Sequence, residues 1–151
     1  LVKLMEDYLN SQSGMSICFT ANSGNEFLIG LSKLETPPDV VMLDLRMKDG
    51  DGIDVLERLI NKEVGFKKII ISSLYSSSYL EYMLKMGVNA FIPKDTDKEV
   101  LVTIIREVMN NGHFFTEEQI NSLKNLQLTK RPDGLAASTK NKLSEREILM
   151  I

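Results

Sequence analysis

Residues 39–44, DVVMLD, run four apolar side chains straight into a carboxylate. A strand that is apolar at successive positions, rather than at alternate ones, is buried on both faces, as in a parallel sheet covered by helices. Parallel strands cannot be joined by tight hairpins, so such a chain must supply a long crossover between each pair. The flanking sequence does so. MSICFTA (15–21), KKIIISS (67–73) and NAFIP (89–93) read as further short strands. Helical spacing lies between them. Leu1, Leu4, Met5, Tyr8 and Leu9 share one face, then Phe27, Leu28, Leu31 and Leu34, with Pro37 and Pro38 ending that run. Ile53, Leu56, Leu59 and Ile60 follow. SYLEYMLKMG (78–87) closes on Gly87. A Thr96/Glu99 capping box opens the helix over 96–112, which stops near Gly112. Strands alternating with helices predict an open α/β sheet with right-handed crossovers on both faces.

Length and composition narrow the class. The 151 residues are 43% hydrophobic and 26% charged, enough for one globular domain with an appendage. A net charge of −3 is not that of a surface coated for non-specific nucleic-acid binding. Cys18 is the single cysteine, which excludes an internal disulfide, and its apolar setting predicts a buried thiol. With one distant His113 it cannot furnish a zinc site. No apolar stretch is long enough to span a bilayer and no signal peptide opens the sequence, so a cytoplasmic setting is expected.

The pattern changes after His113. TEEQINSLKNL (116–126) carries a second capping box, Thr116 to Gln119, and apolar Ile120, Leu123 and Leu126. Residues 127–142 are poor in apolar side chains and contain Pro132 and Gly134, which reads as a linker. LSEREILMI (143–151) begins a new amphipathic helix.

Ligands of open α/β sheets bind beyond the carboxyl ends of the strands. Asp44, Ser72 and Lys94 fall at such ends. A carboxylate that can attack phosphorus, with a hydroxyl and an ammonium that can hold phosphoryl oxygens, suits phosphoryl transfer. Taken singly, Asp44 as a turn cap, Ser72 as a turn residue and Lys94 as a solvated charge are the simpler explanations. Jointly they require three coincidences at one edge.

DVVMLDLRMKDGDG, KIIISS and AFIPK resemble the receiver domains of bacterial two-component response regulators, with Ser72 and Lys94 standing 28 and 50 residues after Asp44 as in that family. The resemblance implies a flavodoxin-like (CheY-like), doubly wound parallel α/β sheet of strand order 2-1-3-4-5. It implies Asp44 as phosphoacceptor, Ser72 as switch hydroxyl, Lys94 as partner of the phosphoryl group and Phe91 as the switch aromatic, which turns inward on phosphorylation. It also implies Mg²⁺, held by Asp44, the main-chain carbonyl of Arg46 and an acidic pair at the end of a first strand. Phe91 also reads as a plain core aromatic. Two departures accompany the match. Lys48 stands where the family usually has proline, and Pro93 precedes Lys94 while Asp95 follows it. Glu6-Asp7 is not the acidic pair, because it lies inside a helical pattern too close to the strand at 15–21. The first strand is thus expected to be missing from the chain as it begins, making the fragment a poor Mg²⁺ binder and a poor folder.

LSEREILMI resembles the opening of the LuxR-type helix-turn-helix of NarL/FixJ regulators, with Leu143, Ser144, Arg146, Glu147, Ile148 and Leu149 matching. The expected division is therefore a receiver over 1–114, a helix and linker over 115–142, and the start of an effector domain over 143–151. The resemblance implies a signalling phosphoacceptor rather than an enzyme. Its partners would be a sensor histidine kinase, a second copy of the chain in a homodimer, and DNA through a further C-terminal domain, with no DNA-binding residue in the present one. The alternatives are a degenerate receiver acting as a phosphorylation-independent protein-interaction module, and a haloacid-dehalogenase-like phosphatase. The latter wants a second Asp where Arg46 stands.

Overall fold

A computed structural model describes residues 2–45, 52–60, 65–73 and 77–128. Among these, three strands form one parallel sheet: β1 (Val40–Asp44), β2 (Lys67–Ser72) and β3 (Ala90–Pro93), in that spatial order. Six helices accompany them: α1 (Val2–Asn10), α2 (Gly24–Ser32), α3 (Gly52–Ile60), α4 (Ser77–Lys85), α5 (Lys98–Asn111) and α6 (Glu117–Leu128). Val41 pairs with Lys68 and Asp44 with Ile71, while Ile70 pairs with Phe91 and Ser72 with Pro93.

Successive side chains on a strand point to opposite faces, and the core divides accordingly. Val41, Leu43, Ile70 and Phe91 pack with Phe27 of α2, Val55 and Leu59 of α3, and Leu80 and Met83 of α4. Ile69, Ala90 and Ile92 pack on the other face with Leu9 of α1 and with Leu101, Ile104 and Val108 of α5. The sheet is therefore wound on both faces, as the continuous apolar strands require. Gly87 and Gly112 follow α4 and α5 at φ +76° and +87°, a left-handed backbone that glycine takes without a Cβ penalty.

Three expectations are corrected. Residues 15–21 form no strand: the segment lies apart from β1, and a groove of about 600 Å³ separates them, lined by Ile17, Phe19, Val40, Met42, Ile105 and Met109. Among the described residues no strand lies alongside to take its backbone groups, so the segment joins no ladder there. Cys18, expected to be buried, is exposed on this segment. The Thr96/Glu99 box does not form either. The helix starts at Lys98 with Asp97 as its cap residue, and the Thr96 hydroxyl turns back to donate to the Pro93 carbonyl at 2.7 Å. The second box does form: the Thr116 amide donates to Gln119 Oε1 at 3.0 Å and the Gln119 amide to Thr116 Oγ1 at 3.1 Å. The effector-like segment at 143–151 lies outside the described residues.

Candidate functional site at the carboxyl edge of the sheet

β1 delivers Asp44 to the sheet edge because its four preceding residues are fixed by pairing with β2. β3 delivers Lys94 to the same edge. The Lys94 amide donates to the Ser72 carbonyl at 3.0 Å, so β3 stays bonded to β2 one residue beyond Pro93. The Lys94 ammonium then crosses the end of β2 and donates to Asp44 Oδ2 at 2.7 Å. Ser72 stands one residue beyond Ile71, the partner of Asp44, and is fully buried. The three residues that the sequence pointed to are thus gathered at one edge, with the carboxylate and ammonium in direct contact.

Phe91 is fully buried and belongs to the core cluster shared by α3 and α4. The inward position expected to follow phosphorylation is the position the ring already has. A phenyl ring carries no hydroxyl to draw it toward water, so burial is its stable place. Arg46 lies outside the described residues.

A residue at this site went unrecognised from the sequence. Gln119 of α6 is 2% exposed, and its side-chain amide donates to the Phe91 carbonyl at 2.7 Å. The capping box identified Gln119 as a local helix-starting residue. Nothing in the spacing indicates that its amide group also reaches the edge of β3.

Among the described residues no group of three or more His, Cys, Asp or Glu side chains is disposed to hold a metal ion. Mg²⁺ takes near-octahedral oxygen ligation, so Asp44 by itself does not make its shell.

Residues 1–106 match the family model described as the response regulator receiver domain. The chain is 28% identical over 123 residues to the transcriptional regulatory protein DesR of Bacillus subtilis, covering 82% of this chain and 60% of that protein. It is 26% identical over 121 residues to the response regulator protein VraR of Staphylococcus saprophyticus, covering 80% and 57%. The chain thus spans about three-fifths of the length of these curated relatives. Among solved structures it is similar to a LuxR-family two-component response regulator from Aurantimonas (TM-score 0.69, 16% identity, 84% of this chain and 89% of that one). It is also similar to a LuxR-family DNA-binding response regulator from Staphylococcus aureus (TM-score 0.65, 25% identity, 72% and 88%).

Proposed function

Since the chain belongs to the response regulator receiver domain family, we propose that it is the phosphoacceptor of a two-component transcriptional regulator, charged on Asp44 by a sensor histidine kinase. The observation that carries this reading is the 2.7 Å contact of Lys94 with Asp44 at the strand edge, beside Ser72. An Asp44 carboxylate oxygen would attack the phosphorus of a phosphohistidine. The P–N bond breaks, the leaving imidazole is protonated, and an acyl phosphate forms. Lys94 then shifts from carboxylate to phosphoryl oxygen, and the Ser72 hydroxyl donates to another phosphoryl oxygen. Water later cleaves the acyl phosphate, so the protein is a timed signal rather than a classical enzyme.

Mg²⁺ is the cofactor this reading calls for. The described residues do not fit it unaided; the Arg46 carbonyl and an acidic pair at the end of a first strand would complete the shell. The groove beside β1 suits one more parallel strand, which would give the order 2-1-3-4-5 with β1, β2 and β3 as its last three members. In the whole protein, residues 143–151 would open a LuxR-type helix-turn-helix. DNA contact would come from residues beyond them, and dimerisation of the receiver would control it. A second reading is a degenerate receiver that binds partners without phosphorylation.

Intact-mass measurement with acetyl phosphate and Mg²⁺ separates the two. The complete protein gains one phosphoryl group, and Asp44→Asn gains none. An equal gain in the variant overturns the assignment of Asp44, and no gain in either selects the degenerate module.

A further inference from the structure

Helix α6 is joined to β3, the strand that holds Phe91 and leads directly into Lys94. Backbone groups of successive residues in a strand alternate between its two edges. The Lys94 amide bonds inward to Ser72, so the main-chain groups of Phe91, an odd number of residues away, face the outer edge. That edge has no neighbouring full strand among the described residues. Instead the α5–α6 connection occupies it. Phe114 makes a parallel bridge to Ala90, and its amide donates to the Asn89 carbonyl at 2.9 Å. One residue further along β3, Gln119 takes the Phe91 carbonyl at 2.7 Å. The Gln119 amide is held in that pose from its other end, because Oε1 accepts from the Thr116 amide. A capping box that usually ends at the helix start is here extended into a clip on the sheet edge, and α6 also lies against α4.

We propose that Gln119 is a positioning residue that straps α6 to the edge of β3, and that phosphorylation of Asp44 loosens this strap. The proposal rests on the phosphoacceptor reading given above. The arrangement in which Gln119 holds Phe91 is the arrangement in which Lys94 pairs directly with Asp44. β3 is only four residues long; besides its pairing with β2 and the Phe114 bridge, it leads at its site end into Lys94 and is held on its outer edge by Gln119. A phosphoryl group on Asp44 draws Lys94 to a new oxygen and so moves the end of β3. A hydrogen bond with a buried amide on a capped helix tolerates little displacement before it is lost. Coupling of this kind is reciprocal, so releasing α6 must in turn favour the phosphorylated state. Helix α6 leads directly into residues 129–151, which makes it the element through which a change at β3 would reach whatever follows.

Hydrogen exchange of the complete protein, with and without acetyl phosphate and Mg²⁺, tests the strap alongside intact mass. Phosphorylation should raise exchange across 117–128 about tenfold, the scale of one net hydrogen bond, with β2 still protected. Gln119→Met keeps the volume but has no amide. It should show the fast α6 exchange before phosphorylation, little further change after it, and a raised steady-state phosphorylated fraction. Gln119→Ala should do the same if it folds. Phosphorylated Asp44 with unchanged α6 exchange overturns the strap while leaving the phosphoacceptor reading intact. Fast α6 exchange in Gln119→Met with an unraised phosphorylated fraction makes the residue merely structural and also overturns the coupling. No phosphorylation of Asp44 overturns both readings.

Discussion

Lys94 and Asp44 meet at 2.7 Å with side chains 48% and 27% exposed. An ion pair that open to water contributes about 0–1 kcal/mol to stability. Lys94→Met should therefore lower the unfolding free energy read from urea denaturation by no more than that amount, yet on the proposed function it leaves a phosphoryl group on Asp44 without its cation. On that proposal such a variant should accept phosphate but respond weakly, and Ser72→Ala should behave likewise. Phosphorylation-dependent dimerisation or DNA binding equal to wild type in Ser72→Ala would remove its switch role. A second residue-scale prediction concerns Tyr82 of α4. Burial, then its hydrogen bond to Glu57 Oε2 at 2.7 Å and the charge of that carboxylate, push its phenol up to about 12. A folded pKa raised above the unfolded value near 10 makes the protonated phenol stabilising below pH 10, and that contribution is lost as pH climbs toward 12. Ultraviolet titration should show one tyrosine ionising near 12, and Tyr82→Phe should abolish it. A late phase that survives in Tyr82→Phe would assign the shift elsewhere.

At the scale of elements, Asn89 does more joining than its place in a short loop suggests. Its Oδ1 accepts from the Lys68 amide and its Nδ2 donates to the Gly112 carbonyl, both at 2.8 Å. One side chain thereby ties the start of β2 to the residue closing α5. Asn89→Ala leaves two backbone groups to find other partners and should cost about 1–3 kcal/mol in denaturant unfolding. A loss below a few tenths would show that water replaces both bonds. The two capping boxes teach a related point. Both Thr96/Glu99 and Thr116/Gln119 have the right spacing, and only the second forms. Thr96 sits in the turn after β3, where the Pro93 carbonyl offers its hydroxyl a closer acceptor. Thr116 meets no such competitor among its observed bonds. The spacing states what a backbone can do, and the neighbouring strand end decides whether it does.

Across the whole molecule the main asymmetry is between the two edges of the sheet. β2 is bonded on both sides, whereas β1 borders the groove on its far side. Amides of Val40–Asp44 that face the groove should exchange faster than those of Ile69–Ile71, as measured by site-resolved hydrogen exchange. Equal protection would mean that the groove is closed by a strand or a tightly held segment in solution. The outer edge of β3 differs, because Phe114 and Gln119 cover it with side-chain and backbone donors. The helices wound on both faces follow from burial alone, while the treatment of each edge depends on what lies beside it.

The sequence by itself determined the strands around Val41, Ile70 and Phe91, the helices between them, and the placing of Asp44, Ser72 and Lys94 at strand ends. Those features rest on apolar runs and on a periodicity that each segment carries within itself. Tertiary structure decided the rest. MSICFTA has the composition of a strand but, among the described residues, no strand beside it, and a strand exists only through its neighbour's hydrogen bonds. Phe91 is apolar enough to be core and stands at the spacing of a switch residue, and packing against α3 and α4 placed it in the core. Gln119 reads as a cap in the chain and becomes a clip only because the α5–α6 turn brings it to a buried carbonyl. That pairing joins residues 28 apart, and no local pattern encodes a contact across such a separation.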